Sequence, residues 1–195
     1  MFTGIIEATA KVLKIGRNEI MLERPESFDD IKIGSSIAVA GVCLSVTSFD
    51  TQSMSFDVIG TTLRKTKLAS LTIGDAVNLE RAMKADGRFE GHIVTGHCEG
   101  VGKVGFRDRG RAGEGNMMLQ IQIPVSLKKY IVLHGSIAID GVALTVAELS
   151  DSGLSVALIP HTLEHTTLGS LKAGDSVNLE TDILGRYILS AHDKK

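Results

Sequence analysis

Tryptophan is absent from this chain, and proline and cysteine are almost absent, at three and two in 195 residues. Aromatic residues make up only 4%, so whatever fills the core is aliphatic. Two cysteines, Cys43 and Cys98, follow no metal-like spacing and do not make a disulfide framework. No apolar run approaches the roughly 18 residues that would cross a bilayer. The start, Met1-Phe-Thr-Gly-Ile-Ile-Glu7, has no basic stretch leading into a long apolar one, so no secretory signal and no membrane association are expected. A cytoplasmic location follows as the expectation, and there both thiols stay reduced. Basic and acidic residues nearly balance at 21 and 23, and Arg107, Arg109 and Arg111 are interleaved with Asp108 and Gly110, so no nucleic-acid surface is expected. What is plentiful is glycine, 21 residues, set in a chain that is 43% hydrophobic. That combination predicts many short strands joined by glycine turns.

The chain also contains itself twice. Ser36-Ile-Ala-Val-Ala-Gly-Val-Cys-Leu-Ser-Val46 returns as Ser136-Ile-Ala-Ile-Asp-Gly-Val-Ala-Leu-Thr-Val146, an offset of 100 (36 to 136). The offset persists through Ile59–Leu68 against Ile159–Leu168 and through Gly74-Asp-Ala-Val-Asn-Leu-Glu80 against Gly174-Asp-Ser-Val-Asn-Leu-Glu180. Thr3-Gly4 pairs with Thr95-Gly96 at an offset of 92 (3 to 95), so about eight extra residues enter the second half. The glycine-rich Arg109–Asn116, read as a hairpin loop, is where they fit. An internal repeat of this length governs the fold prediction.

Each half reads as a string of strands, near 4–14, 19–24, 36–47, 54–59 and 76–82, then 96–106, 116–123, 136–148, 154–159 and 176–182. Short helices are predicted over Thr61–Leu68 and Thr162–Leu168, each opening on a threonine cap. One or two helical turns are predicted over Pro25–Ile31 and Pro124–Tyr130. About six short strands in some 90 residues favour an all-β chain of two tandem six-stranded antiparallel barrels of Greek-key type, with a sandwich as the alternative. The expected division is 1–92 for the first barrel, 93–185 for the second and 186–195 for a terminal helix and tail, with Met83–Gly91 as the linker. After Asp182, Ile183, Leu184, Tyr187, Ile188 and Ala191 recur at three and four, an amphipathic helix whose stripe packs on its own barrel or on another subunit.

Along the repeated strand, Val42, Leu44 and Val46 alternate with Cys43 and Ser45, and Val142, Leu144 and Val146 with Ala143 and Thr145. One face is greasy and the other small and hydroxylated. The small face meets water or admits something flat. Two motif look-alikes carry nothing. Gly100-Val-Gly-Lys-Val-Gly105 spells a dinucleotide fingerprint, but it alternates as a strand instead of joining a strand to a helix. His161-Thr-Leu-Glu-His165 spells an inverted zinc-protease motif, yet its repeat partner Thr61-Thr-Leu-Arg-Lys65 has no ligands, so no metal is expected.

Met1-Phe-Thr-Gly-Ile-Ile-Glu7, Gly41-Val-Cys-Leu-Ser-Val46, Val77-Asn-Leu-Glu-Arg-Ala82, Gly91-His-Ile-Val-Thr-Gly-His97, Asp140-Gly-Val-Ala-Leu-Thr-Val146 and Ile159-Pro-His-Thr-Leu163 occur in order along the whole chain. Together they resemble the alpha-chain riboflavin synthase family of the lumazine-binding repeat superfamily. The resemblance implies that each barrel binds one 6,7-dimethyl-8-ribityllumazine and that one molecule gives a four-carbon unit to the other. The products would be riboflavin and 5-amino-6-(ribitylamino)uracil, formed without a cofactor. It also implies a homotrimer held by the terminal helix, an active site between the first barrel of one subunit and the second of a neighbour, and lumazine synthase as a partner to consider. The alternative within the superfamily is a non-catalytic lumazine- or flavin-binding protein.

The binding segments the resemblance implies are Gly4-Ile5-Ile6, Cys43-Leu44-Ser45, Asp57-Val58-Ile59-Gly60-Thr61-Thr62, Gly96-His97-Cys98, His134, Ala143-Leu144-Thr145 and Ile159-Pro160-His161-Thr162-Leu163-Glu164. Thr62 and Thr162 are read as helix starts offering free N–H groups to a ring edge. His97 pairs with Ile5 in the repeat, so one half has an imidazole where the other is apolar. An imidazole titrates near neutrality and suits the removal of a proton from a ring methyl group. Ser45 and Thr145 are candidate hydrogen-bond partners of the ring. Cys43 is either a nucleophile or, as Ala143 at the equivalent place suggests, a small pocket-lining residue. His92 reads as a linker residue. The chain departs from the family's pattern at Ala143, where serine is usual, and at His134, where lysine is usual.

Overall fold

The structure is a computed structural model and describes residues 1–108 and 115–192; the predicted loop at Arg109–Asn116 lies mostly outside those residues. Twelve strands are described: β1 (Ala8–Ile15), β2 (Glu19–Glu23), β3 (Ser36–Val39), β4 (Val42–Phe49), β5 (Ser53–Asp57) and β6 (Ala76–Arg81), then β7 (Gly100–Asp108), β8 (Met117–Gln122), β9 (Ser136–Ile139), β10 (Val142–Ser150), β11 (Gly153–Leu158) and β12 (Ser176–Thr181). They close into two antiparallel barrels, in the orders β1-β2-β5-β4-β3-β6 and β7-β8-β11-β10-β9-β12. Each barrel holds its own aliphatic core, Val39, Leu44, Val77 and Leu79 among others in the first and Ile139, Val146, Val177 and Leu179 in the second. Closure leaves neither sheet with a free edge, the hazard of short isolated strands.

The long strands predicted over 36–47 and 136–148 are each two strands. Ala40-Gly41 and Asp140-Gly141 turn the chain back with φ of 45° and 79°, and 49° and 83°. Two successive positive φ values are the hairpin geometry that matches strand twist. In the first copy Val39-Ala40-Gly41-Val42 keeps the apolar sequence unbroken through the turn, whereas in the second Asp140-Gly141 is a hairpin dipeptide in plain sight. The split supplies the sixth strand of each barrel.

The helical predictions need similar adjustment. The helix α1 (Gly60–Lys65) and its repeat α3 (Pro160–His165) start before Thr62 and Thr162, capped by the backbone of Ile59 and Ile159 with no side-chain cap. Thr62 donates its N–H to the Ile59 carbonyl at 3.0 Å, so it offers no free donor. The threonines that do cap are Thr66 and Thr166, whose Oγ1 accepts from Leu68 and Leu168 at the following 3-10 turns. Pro124–Tyr130 contains one helical turn, α2 (Val125–Lys128), while Pro25–Ile31 forms only turns. The terminal helix is α4 (Ile183–His192), started by Asp182 Oδ1 accepting from the Leu184 N–H.

Candidate active site

The strands predicted to begin at residues 4 and 96 begin at 8 and 100 instead, and the residues ahead of them organise the site. Phe2 and Val94 form an isolated antiparallel bridge, Phe2 N–H to Val94 O at 2.7 Å and Val94 N–H to Phe2 O at 3.1 Å. From that bridge each leading segment crosses to the other half's barrel. Cys43 N–H donates to Gly96 O at 2.9 Å, and Ala143 N–H donates to Gly4 O at 2.8 Å. Cys98 then packs against the first core and Ile6 against the second. Gly4 and Gly96 both have φ of 80°, and a Cβ on either would collide with the Ala143 or Cys43 backbone. Only glycine allows this approach.

Two buried glutamates hold these segments in place. Glu80 accepts from Thr3 N–H (2.6 Å), Thr3 Oγ1 (2.9 Å) and Gly4 N–H (2.9 Å). Glu180 accepts from Thr95 N–H (2.7 Å), Thr95 Oγ1 (2.7 Å) and Gly96 N–H (2.9 Å). Burial raises the Glu80 carboxyl above the ordinary carboxylate range, and the bonds from Thr3 and Gly4 pull it back.

On the first barrel these contacts leave a cavity of about 230 Å³, lined by Val42, Cys43, Thr61, Thr62, Lys65, Thr66, Gly96, His97 and Cys98. The sequence reading named six of these nine. It missed Val42 together with Lys65 and Thr66, which lie three and four residues beyond Thr62 on one helix face, a spacing that marks them as neighbours. His97 is solvent-exposed at the rim. Cys98 is deep in the wall: its thiol donates to Gly41 O at 3.3 Å, and burial, with Glu180 and Asp140 nearby, pushes its pKa well above the ordinary thiol value. A thiol so held stays protonated and is no nucleophile. Cys43 is half-buried with its backbone tied to Gly96.

On the second barrel Gly4 meets Ala143, and Ile6 packs beside Leu144 and Leu163 at the edge of the core. His161 and His165 stack on α3 with ring centroids 4.1 Å apart. The Gly100–Gly105 look-alike is part of strand β7. Ser45 and Thr145 are exposed on their strands, paired with Ser36 and Ser136. Asp57 is exposed at the end of β5, while Val58 is buried in the first core. Ile5, Ile59 and Ile159 are exposed apolar residues. His134 stands apart on the loop before β9, exposed, in the left-handed region at φ 64° and bonded through its N–H to Val146 O. A larger cavity of about 590 Å³ lies beside the 83–91 linker, among charged residues such as Glu7, Asp30, Arg81 and Lys84; Ile5 is the one predicted site residue in its wall.

The residues that hold the two half-sites in register were not in the sequence reading. Asn78 Nδ2 donates to Asp140 O (2.9 Å), and its Oδ1 accepts from Thr167 N–H (2.8 Å). Asn178 Nδ2 donates to Ala40 O (2.8 Å), and its Oδ1 accepts from Lys67 N–H (2.7 Å). Each fully buried amide therefore bonds the other barrel at both ends, which offsets the cost of burying it. Gly41 and Gly141 also approach each other between the two barrels. A signal was available: Val-Asn-Leu-Glu is identical in both copies, and a polar residue retained inside an apolar strand needs a partner. His92, read as a linker residue, is buried, with its N–H on Thr3 O at 3.1 Å and its Nε2 unpartnered.

The chain matches the lumazine binding domain family twice, over residues 3–82 and 95–182. It is 43% identical over 192 residues to the riboflavin synthase of Actinobacillus pleuropneumoniae, covering 96% of this chain and 88% of that one. The riboflavin synthase of Bacillus subtilis is 38% identical with the same coverage, and that of Mycobacterium bovis 38% with 96% of both chains covered. Among solved structures, LumP complexed with 6,7-dimethyl-8-(1'-D-ribityl) lumazine superposes with a TM-score of 0.83 at 26% identity, over 93% of this chain and 99% of that one. LumP complexed with riboflavin gives 0.83 at 29% identity, with the same coverage. With a lumazine binding domain in each half and relatives this similar along nearly its whole length, the chain belongs to the riboflavin synthase family.

Proposed function

We propose that this chain binds two molecules of 6,7-dimethyl-8-ribityllumazine, one at each half-site, and transfers a four-carbon unit between them to give riboflavin and 5-amino-6-(ribitylamino)uracil. The observation that carries this is the reciprocal exchange: each barrel's pocket strand is bonded to the other half's leading segment, Cys43 to Gly96 and Ala143 to Gly4. A reaction that consumes two copies of one substrate is served by a chain that carries two like sites; the first site of one subunit facing the second of a neighbour brings the two molecules together, and orientation alone supplies roughly 7–11 kcal/mol of a barrier. The sites are built from equivalent positions of the repeat and differ in chemistry. His97, Cys43 and Lys65 of the first stand against Ile5, Ala143 and His165 of the second, as donor and acceptor roles require.

In this reading His97 moves the proton from a ring methyl group. Cys43 lines the pocket, and Ser45 and Thr145 bond the ring. The remaining predicted segments, from Gly4 through Glu164, bound the two sites, except His134, which stands apart on the loop before β9. Both half-sites are open, with Ile59 and Ile159 left 68% and 54% exposed beside them, so a second barrel has apolar surface to close against. α4 presents Leu184, Tyr187 and Ile188 at 57–70% exposure, which supports the homotrimer over packing of that stripe on its own barrel. Lumazine synthase association and a cytoplasmic location belong to the same reading. Among the described residues no helix is long and apolar enough to cross a membrane.

The test is to incubate the purified protein with the lumazine alone and follow riboflavin by absorbance. Formation of riboflavin and the uracil in equal amounts is expected. His97→Gln should lower kcat more than it weakens ligand binding; equal losses would make His97 a binding residue only. Tight binding with no product would instead support a non-catalytic lumazine- or flavin-binding protein. The likeness to LumP bound to lumazine and riboflavin favours that second reading.

A further inference from the structure

One contact breaks the symmetry of the inter-barrel seam. Asp140 is fully buried at the turn between β9 and β10, and Lys67 sits just after α1 with a side chain 10% exposed. Lys67 Nζ donates to Asp140 Oδ2 at 2.5 Å, while Asp140 Oδ1 accepts from the Asn178 N–H at 2.8 Å. At the equivalent positions of the other half stand Thr167 and Ala40, and the Thr167 hydroxyl is buried without a partner. Both 3-10 turns are tied to the opposite barrel by a backbone N–H on an asparagine. Only the first has a side-chain ion pair as well.

We propose that Lys67–Asp140 is a positioning pair. It locks the α1 turn, which carries Thr61, Thr62 and Lys65 into the first pocket, onto the turn that leads into Ala143 of the second. The proposal rests on the two-site reading above. The pair makes the first site the more rigidly held of the two, and it ties that site's helix to the strand of the other site. Lys67 does not line the cavity, whereas its neighbours Lys65 and Thr66 do, so it acts through α1 and not on substrate. Burial pushes the Asp140 carboxyl up and the Lys67 ammonium opposes this; removing Lys67 alone leaves a buried acid without its cation.

The experiment compares wild type, Lys67→Thr, Asp140→Ala and the double variant, which installs the Thr/Ala combination that the other half already tolerates. Thermal unfolding should drop for each single variant and recover in the double, the coupling expected of two groups in contact. Riboflavin titration monitored by fluorescence should find one of two sites per chain weakened about tenfold in the double variant, the other unchanged, with kcat down about tenfold or more. A double variant with both sites and kcat at wild-type values would reduce the pair to a stability element and overturn the proposal. Failure of the double variant to fold would overturn it too, since Thr/Ala would then be no substitute at this seam. If wild type binds two ligands but makes no riboflavin, the catalytic reading fails while the binding arm still decides the role of the pair.

Discussion

A single imidazole shows how burial sets chemistry at the residue scale. His92 was legible only as a histidine in a glycine-bounded linker; in the fold it lies against Thr3 with Nε2 unpartnered. Burial lowers its pKa below the ordinary 6.5, outweighing the opposing pull of Asp182 and Glu180. The folded state therefore holds fewer protons than the unfolded one as pH falls past 6.5. Stability is present in full above that value and declines as pH drops toward the lowered folded pKa. Thermal midpoints measured from pH 7.5 to 5 should fall in wild type and fall less in His92→Gln. Parallel curves would show that His92 charges without cost.

At the scale of elements, the leading segments matter more than the strands they precede. Nothing in the alternation of residues 4–14 marks the first four as belonging elsewhere, because a strand's side chains alternate in the same way whichever barrel it joins. What marks them is glycine. Gly4 and Gly96 adopt the left-handed conformation against the opposite barrel, and Gly96→Ala would combine roughly 1–2 kcal/mol of backbone strain with a collision at Cys43. Chemical denaturation should register a loss of at least about 2 kcal/mol. Gly34→Ala is the control: its φ is also positive, but a Cβ there meets open space, so it should lose less. The hairpin at Ala40-Gly41 was hidden for a related reason. Strand prediction reads apolar periodicity, and this turn is built from apolar and small residues facing Asp140-Gly141 across the seam.

For the whole molecule, α4 leaves an apolar stripe uncovered. Arg186 reaches Glu99 at 3.3 Å and holds one side of the helix to the second barrel, while Leu184, Tyr187 and Ile188 point outward. Exposed apolar faces of this kind mark association surfaces. Light scattering after size exclusion should give three chains per particle for wild type, and a smaller particle for Tyr187→Asp/Ile188→Asp with thermal stability of the barrels retained. In the proposed trimer each half-site faces a neighbour's barrel, so riboflavin formation should fall with the assembly. A monomeric wild type with full activity would remove the shared site.

Several features of this protein are determined by its sequence alone. The offset of 100 residues makes it a duplication, and the aliphatic alternation with glycine turns makes each half a small barrel. The motifs around Cys43, His97 and Ala143 identify the family. Those signals are local or self-referential, so one dimension carries them. The tertiary structure decided which half serves which pocket: Gly96 beside Cys43, Gly4 beside Ala143, and Asn78 and Asn178 bonded across the seam. It also paired Lys67 with Asp140, 73 residues away. Pairings of that range follow from how two barrels pack, and hydrophobic periodicity does not record it: it says which face is buried and not what it is buried against.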